Sequence, residues 1–278
     1  SKAQDNLYIA YNNIDEYLKD LKNALTKEHK RYGEVGVLKD GKRIQINTSI
    51  IQIENEYYSS IRPKRVTPPG ERPINILRNE GIDYVEIRAL DNNSFLPSGI
   101  DEDTSYFLEA YLIGCFFGED TKSTQNEIKE LLVNWENVVK EGRNPNLKLL
   151  KNKEKLTIKD SGMKVIDSLR NTFDEMPHEM SDYVKKVMKS LDKQEEKLND
   201  ASLTPSGLIV DQLKNSNKTW EELNLELAEE HSNSLKGLKK DLNYLSEEAK
   251  SSLEKFKQLE NHQEEEFEVY LDKFVNDI

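Results

Sequence analysis

Cysteine is nearly missing from this chain of 278 residues: Cys115 stands alone. One thiol cannot close an intramolecular disulfide or furnish a multi-thiolate zinc site, so a disulfide scaffold and a zinc-finger-like fold are both excluded. Its apolar neighbours predict a buried, inert thiol rather than a catalytic one. Histidine is also sparse. His29, His178, His231 and His262 are scattered through charged, helix-patterned sequence, which predicts surface or capping positions and leaves Ser/His/Asp catalysis and a histidine-based zinc pattern without support. The glycines form no Walker loop, no dinucleotide-binding fingerprint and no nucleophile elbow. No apolar run approaches the roughly 18 residues that span a bilayer; the most apolar stretch, Tyr106 to Phe117, is shorter and carries Glu109. Positive charge is in deficit. With 40 basic and 52 acidic residues the net charge is −12, a surface that repels nucleic acid and anionic membranes, so neither is expected as a partner. No signal-peptide pattern opens the chain, which predicts a cytoplasmic protein. The first residues, Ser1-Lys2-Ala3-Gln4, replace an initiating Met, and we expect a truncated or internal start.

What is present is patterned. Blocks of Tyr, Phe, Leu and Ile are too regular for a disordered chain, and the length suits one large domain or two small ones. Two textures predict a division into 1–150, a sheet-and-helix region, and 151–278, a helical region packed on it. In the first, Ile14, Tyr17, Leu18, Leu21 and Leu25 follow an Asn-rich start and predict an amphipathic helix. Lys39-Asp40-Gly41-Lys42 predicts a hairpin turn. Alternation at Ile44, Ile46 and Thr48, and again at Ile51 and Ile53, predicts strands. Pro68-Pro69-Gly70 and Arg72-Pro73 break regular structure. Asp83 to Leu90 predicts a strand, Asn92 to Gly99 a loop, and Asp101 to Phe117 a buried helix with acidic residues in its first turn. In the second region, helices are expected to start near Ile158, Met180, Pro205, Trp220 and Ser246. The Leu spacing from Leu223 to Leu259 predicts a helical hairpin. Glu264-Glu265-Glu266 with Phe267, Tyr270, Leu271 and Phe274 predicts a terminal helix docked on one side. Trp135 and Trp220 are expected to be core anchors.

Two features stand out chemically. Arg62, Lys64 and Arg65 gather three cations around Pro63, just after Tyr57 and Tyr58, in a chain that is otherwise acidic. Such forks suit phosphate or carboxylate oxygens; pairing with Glu54, Glu56 or Glu71 on the surface explains them equally well. The second feature is Glu86 and Arg88, which strand geometry aims at one face. Either Glu86 holds a divalent metal while Arg88 neutralises a phosphoryl group, or the two form a structural salt bridge.

These same segments carry a resemblance. Gln45-Ile46-Asn47, Gln52 to Tyr58, Ile61-Arg62-Pro63-Lys64-Arg65-Val66-Thr67 and Gly81 to Asp91 closely resemble the bacterial glutamate–cysteine ligase family, also called γ-glutamylcysteine synthetase. Tyr8 to Lys22, Val133-Asn134-Trp135 and Glu141-Gly142-Arg143-Asn144-Pro145 continue the likeness, and Leu203-Thr204-Pro205-Ser206 fits more loosely. The resemblance implies an α+β fold, part of a curved antiparallel sheet similar to that of glutamine synthetase, followed by a mostly helical C-terminal region. It implies ATP-dependent joining of the γ-carboxylate of glutamate to the amine of cysteine through a γ-glutamyl phosphate, the first step of glutathione biosynthesis. ATP is then a co-substrate, with Mg2+ (or Mn2+) between its phosphates. By position, Glu86 is similar to the family's metal-binding glutamate and Arg88 to its catalytic arginine at the transferred phosphoryl group. Tyr58 is similar to the tyrosine that binds the cysteine substrate, and Arg62, Lys64 and Arg65 to the ATP- and phosphate-binding stretch. Family members are about twice as long, and the resemblance covers their C-terminal half only. It follows that this chain is expected to need the missing N-terminal half of the same enzyme as a partner, and to be inactive alone. A non-catalytic remnant or interaction module that keeps part of the fold is the competing expectation.

Overall fold

In the computed structural model the described residues are 2–4, 7–236, 242–261 and 265–278. The chain forms an α+β, helix-dominated structure with small antiparallel sheets. It divides into two compact units, one of Ser1–Leu90 with Asp241–Ile278 and the other of Asp91–Lys240.

In the first unit, helix α1 (Ile14–Thr26) begins where the Asn13 side chain accepts the backbone N–H of Glu16 at 2.8 Å, with Asp15 and Glu16 favouring the positive helix end. Its buried stripe of Tyr17, Leu18, Leu21 and Leu25 packs with Ile51, Ile74 and Leu77. Helix α2 (Lys30–Val35) and a short hairpin of β1 (Leu38–Lys39) and β2 (Lys42–Arg43) follow. Asp40 and Gly41 both take positive φ, the demand of a two-residue hairpin turn. The strands expected over 44–53 do not form. Their polar residues satisfy the backbone locally instead: the Gln52 Oε1 accepts the Ile46 N–H at 2.8 Å, and the Gln45 amide donates to the carbonyls of Tyr32 and Gly36. Side chains that bond the local backbone compete with ladder pairing. Strand β3 (Ile61–Lys64) then pairs antiparallel with β4 (Tyr84–Ile87), shorter than the strand expected over 83–90. Between them runs α3 (Pro73–Glu80), started by Pro73 and ended by Gly81, whose φ of 80° turns the chain into β4.

The second unit is built on helices. The first, α4 (Glu102–Phe117), is capped by Asp101, whose side chain accepts the Thr104 N–H at 2.7 Å. Helix α5 (Gln125–Glu141) starts on a reciprocal capping box between Thr124 and Glu127. A hairpin of β5 (Lys148–Lys151) and β6 (Glu154–Thr157) turns on Asn152 and Lys153, both with positive φ. Then come α6 (Ile158–Asp174), α7 (Ser181–Asn199), α8 (Pro205–Asn215) and α9 (Trp220–Lys236), close to their expected starts. Ala110, Ile166, Leu169, Phe173, Val187 and Leu191 form the core.

Three expectations are corrected here. Helix α4 is not buried: its apolar contacts with α6 and α7 run through Tyr106, Phe107, Ala110 and Ile113, and Ala110 is its one buried residue. Cys115, near its C-terminal end, is consequently exposed rather than buried, and Phe116 is 83% exposed. Trp135 and Trp220 are not core anchors: both are exposed, and no residue of α5 is buried. Among the histidines, His29 precedes α2, with its ring 4.7 Å from that of Tyr32, and His231 contacts the carbonyl of Ser94. His262 lies outside the described residues.

The chain then returns to the first unit with α10 (Leu242–Glu260), four residues earlier than the start expected at Ser246, and α11 (Phe267–Asn276). The connection expected to make a helical hairpin of α9 and α10 lies outside the described residues, as does Glu264 in the acidic run. Helix α11 docks as expected, with Leu271 buried. Arg43 donates to Glu268 and Asp272, Asn75 to Asp277, and Lys22 to the carbonyl of Ile278. This return explains why the compact units do not divide at residue 150: the last helix completes the packing begun by the first ninety residues.

Candidate active-site face on the β3–β4 ladder

The ladder register places Arg62 opposite Glu86 and Lys64 opposite Tyr84. Alternation along a strand then puts Arg62, Lys64, Tyr84 and Glu86 on one face. The Arg88 N–H bonds the Ser60 carbonyl at 2.7 Å just past the last paired residue, which keeps Arg88 beside the same face.

Charge is concentrated there. Arg88 Nε donates to Glu86 Oε1 at 3.1 Å, and Lys64 Nζ lies 3.7 Å from Glu86 Oε2. The Glu86 and Arg88 side chains are half-buried, 34% and 28% exposed. The hydrogen bond from Arg88 holds the Glu86 carboxyl below the usual carboxylate range, helped by the charges of Arg88, Lys64 and Arg62 and opposed by partial desolvation. Glu86 Oε2 is shielded from solvent and accepts no hydrogen bond. The Arg88 guanidinium carbon lies 5.1 Å from the centroid of the Tyr58 ring, and Tyr58 itself is 77% exposed. An exposed aromatic, a guanidinium, an ammonium and an ionised carboxylate thus converge, a set that can bind and orient anionic groups.

Of the six residues singled out in the sequence, the structure brings together Tyr58, Lys64, Glu86 and Arg88. Arg65 turns away to Glu80 of α3, donating to its carboxylate at 2.8 Å and its carbonyl at 3.1 Å. Arg62 goes inward. It is 6% exposed, donates to the Glu54 carbonyl at 3.2 Å, and stands near enough to the Tyr17 hydroxyl to act on it electrostatically. It lines a cavity of about 40 Å³ with Tyr17, Glu54, Asn55, Lys64 and Thr67. That space has room for a few water molecules and is too small for a nucleotide.

Two buried charged neighbours of this face escaped the sequence. Glu54 and Arg72, both buried, make a bidentate pair at 3.0 and 2.9 Å. Arg72 had registered only as part of a chain break, and Glu54 only as a surface partner for the cations. Nothing local marks a pair whose members lie eighteen residues apart.

The magnesium site implied by the resemblance does not fit on these residues alone. Among the described residues, no three His, Cys, Asp or Glu side chains converge to hold a metal ion, and both oxygens of Glu86 already face cations. A hard divalent cation needs several oxygen ligands. Nor, among the described residues, is any helix long and apolar enough to cross a membrane.

Known proteins match the part of the chain that carries this face. The profile described as glutamate-cysteine ligase matches residues 1–138. The glutamate–cysteine ligase of Pseudomonas putida is 38% identical over 239 residues, covering 85% of this chain and 45% of the relative. That of Janthinobacterium is 34% identical over 232 residues, covering 84% of this chain and 44% of the relative. The chain therefore spans a little under half the length of these curated relatives. Among solved structures, glutamate–cysteine ligase from Francisella tularensis, crystallised in complex with AMP, superposes with a TM-score of 0.88 at 32% identity, covering 99% of this chain and 55% of that one. A bifunctional glutathione synthetase from Pasteurella multocida shares the fold more distantly, with a TM-score of 0.52 at 16% identity over 82% of this chain and 25% of that one. Sequence likeness across most of the chain and a backbone that superposes almost throughout lead to one conclusion: over most of its length the chain resembles part of the glutamate–cysteine ligases.

Proposed function

We propose that this chain contributes the β3–β4 face to the active site of an ATP-dependent glutamate–cysteine ligase acting in glutathione biosynthesis. The observation that supports the reading most directly is the convergence of Lys64, Glu86, Arg88 and Tyr58 inside the family-matched segment. AMP in the Francisella relative supports a nucleotide as one ligand.

In the proposed reaction an oxygen of the glutamate γ-carboxylate attacks the γ-phosphorus of ATP, the bond to the bridging oxygen breaks, and ADP leaves. The cysteine amine then attacks the carbonyl carbon of the acyl phosphate. The C–O bond to phosphate breaks, and the nitrogen gives up a proton. Arg88 is assigned to the charge that builds on the transferred phosphoryl group, where a fixed guanidinium stabilises the transition state more than the ground state. Glu86 orients Arg88 through the 3.1 Å bond. Lys64, and Arg65 once released from Glu80, add positive charge near the phosphates. Tyr58 offers its exposed hydroxyl and ring to the cysteine substrate. Arg62 lies too deep in the fold to serve as a phosphate ligand. Metal coordination by Glu86 requires oxygen ligands that the described residues do not supply, and no step is assigned to it.

The test is ADP release dependent on both glutamate and cysteine. It is measured for this chain alone and for this chain mixed with the segment by which its relatives exceed it. Turnover in the mixture, reduced about a hundredfold or more by Arg88→Lys, supports the assignment. A second reading, a non-catalytic module that keeps the fold, is favoured by the lack of a metal-binding cluster among the described residues. Absence of turnover in both preparations sustains that reading and sinks the ligase assignment.

A further inference from the structure

The polar groups beneath β3 form a continuous chain that the proposed chemistry does not use. It starts at the C-terminal helix. The carbonyl of Phe274 accepts Arg72 Nη1 at 3.0 Å, and the Phe274 ring lies 4.6 Å from the guanidinium carbon. Arg72 forks onto the Glu54 carboxylate, with no exposed surface left on its side chain. The backbone carbonyl of the same Glu54 accepts Arg62 Nη2, and the Arg62 guanidinium acts electrostatically on nearby Tyr17 of α1. Arg62 belongs to β3, directly opposite Glu86. Directly after the Glu54–Glu56 turn, Tyr57 stands beside Tyr11, whose hydroxyl bonds Ser59 and the Ile61 carbonyl. The next residue, Tyr58, points outward to Arg88.

From this arrangement we propose that Arg72, clamped between Glu54 and helix α11, is a positioning residue that sets β3 and the Tyr58 segment, and through them the Lys64–Glu86–Arg88 face. The fork is rigid because a guanidinium and a carboxylate match in two bonds at once, so a shift of either partner breaks both. A buried pair of this kind contributes specificity of geometry more than net stability. The Nε of Arg62 is buried without a hydrogen-bond partner, and Arg62 is one of the residues lining the 40 Å³ cavity. A buried N–H of this sort is ordinarily satisfied by internal water. The cation therefore has one protein hydrogen bond among the described residues, to the Glu54 carbonyl, and Glu54 is the residue that Arg72 holds in place.

The inference concerns the same face as the ligase reading and takes its functional meaning from it, so its test has an arm that needs no activity. Amide hydrogen exchange is followed by mass spectrometry in the full chain and in Arg72→Lys, Arg72→Met and Phe274→Leu. Peptide 58–66 reports on the face and peptide 14–26 on the unit as a whole. Loss of the buried partner of Glu54 is expected to quicken 14–26 as well, but 58–66 is expected to quicken roughly tenfold more than 14–26 in Arg72→Met, and by a smaller excess in Arg72→Lys. Phe274→Leu, which keeps apolar bulk and the Glu54 fork, is expected to move 58–66 by less still. Equal quickening in both peptides, or none in 58–66, overturns the proposal and leaves Arg72 as an ordinary core contact. In a preparation that turns over ATP, the same series is expected to raise KM for ATP in the order Met, Lys, native. Absence of turnover in the native protein bears on the ligase reading alone, because the exchange arm still decides this one.

Discussion

The two compact units are held together by different physics. The Asp91–Lys240 unit buries apolar side chains: Phe173, Leu169, Ile166, Val187 and Leu191 fill its core. Its ion pairs, such as Arg170 with Asp192 and Glu195, and Asp103 with Lys189 and Lys193, sit on the outside. The unit of Ser1–Leu90 with Asp241–Ile278 has an apolar cluster too, yet it also buries Glu54, Arg62 and Arg72. Hydrophobic packing is non-directional and tolerates small slips. A buried fork of charges does not, since a misplaced charge in a low-dielectric interior is costly. The lesson is that the unit carrying the candidate site spends its interior on orientation, while the other one spends it on burial.

Substitutions can break this contrast, beginning with the largest effect. Phe173→Ala is expected to cost about 3–5 kcal/mol of stability through a cavity in the second unit. Both tryptophans, Trp135 and Trp220, lie in that unit, so the denaturant midpoint of tryptophan fluorescence reads it; a loss below about 1 kcal/mol contradicts a packed core there. Glu54→Leu leaves Arg72 buried without its partner and is expected to cost about 3 kcal/mol, whereas adding Arg72→Met should recover much of the loss. Exchange in α1 follows both, and simple additivity of the two changes removes the distinction between the units.

Titration sharpens the comparison further. Burial pushes the Tyr17 phenol up to about 12, with neighbouring Tyr11 adding to the rise and Arg62 opposing it. The fold therefore favours the neutral phenol. The stabilisation is whole below the ordinary tyrosine value of about 10 and fades as pH rises toward 12. In a tyrosinate absorbance titration, a Tyr17→Phe variant should lack a late-titrating step that the native protein shows; identical curves contradict the buried polar chain. In the second unit, Thr124→Ala removes half of the α5 capping box and should cost about 1 kcal/mol, seen as faster exchange in the first turn of α5. The smallest effect is at Glu86. Its depressed carboxyl keeps the Arg88 pair whole above the ordinary carboxylate value, and the pair is lost as pH falls through the depressed one. A carboxyl NMR titration showing Glu86 at or above an ordinary glutamate would mean the pair does not persist in solution.

Some of this was legible in the residues and some was not, for reasons that particular segments make plain. Helix α1 could be read because its cap, Asn13, and its buried stripe are both local. The starts at Thr157, Thr204 and Thr219 could be read likewise, since each hydroxyl accepts an N–H three residues on. Alternation misled over 44–53, where Gln45, Asn47 and Gln52 spend their amides on neighbouring backbone rather than facing solvent along a strand. The β5–β6 hairpin was missed because its turn, Asn152-Lys153, lacks the glycine that marks such turns. At the site, the Glu86–Arg88 pair followed from a spacing of two on a strand. The partition of the cations did not: Arg62, Lys64 and Arg65 differ in what each meets, and those partners come from other parts of the chain.

The sequence alone therefore determined what short-range physics controls: where most helices begin, that Glu86 and Arg88 share a face, and the family resemblance carried by the blocks from Gln45 to Asp91. Tertiary structure alone decided which cations stay outside, why Cys115 is exposed, and that the last helix returns to lock Arg72 onto Glu54. Caps and alternation act over a few residues and are written in order along the chain. Burial and ion pairing depend on which distant segments meet, and that is settled only when the chain has closed on itself.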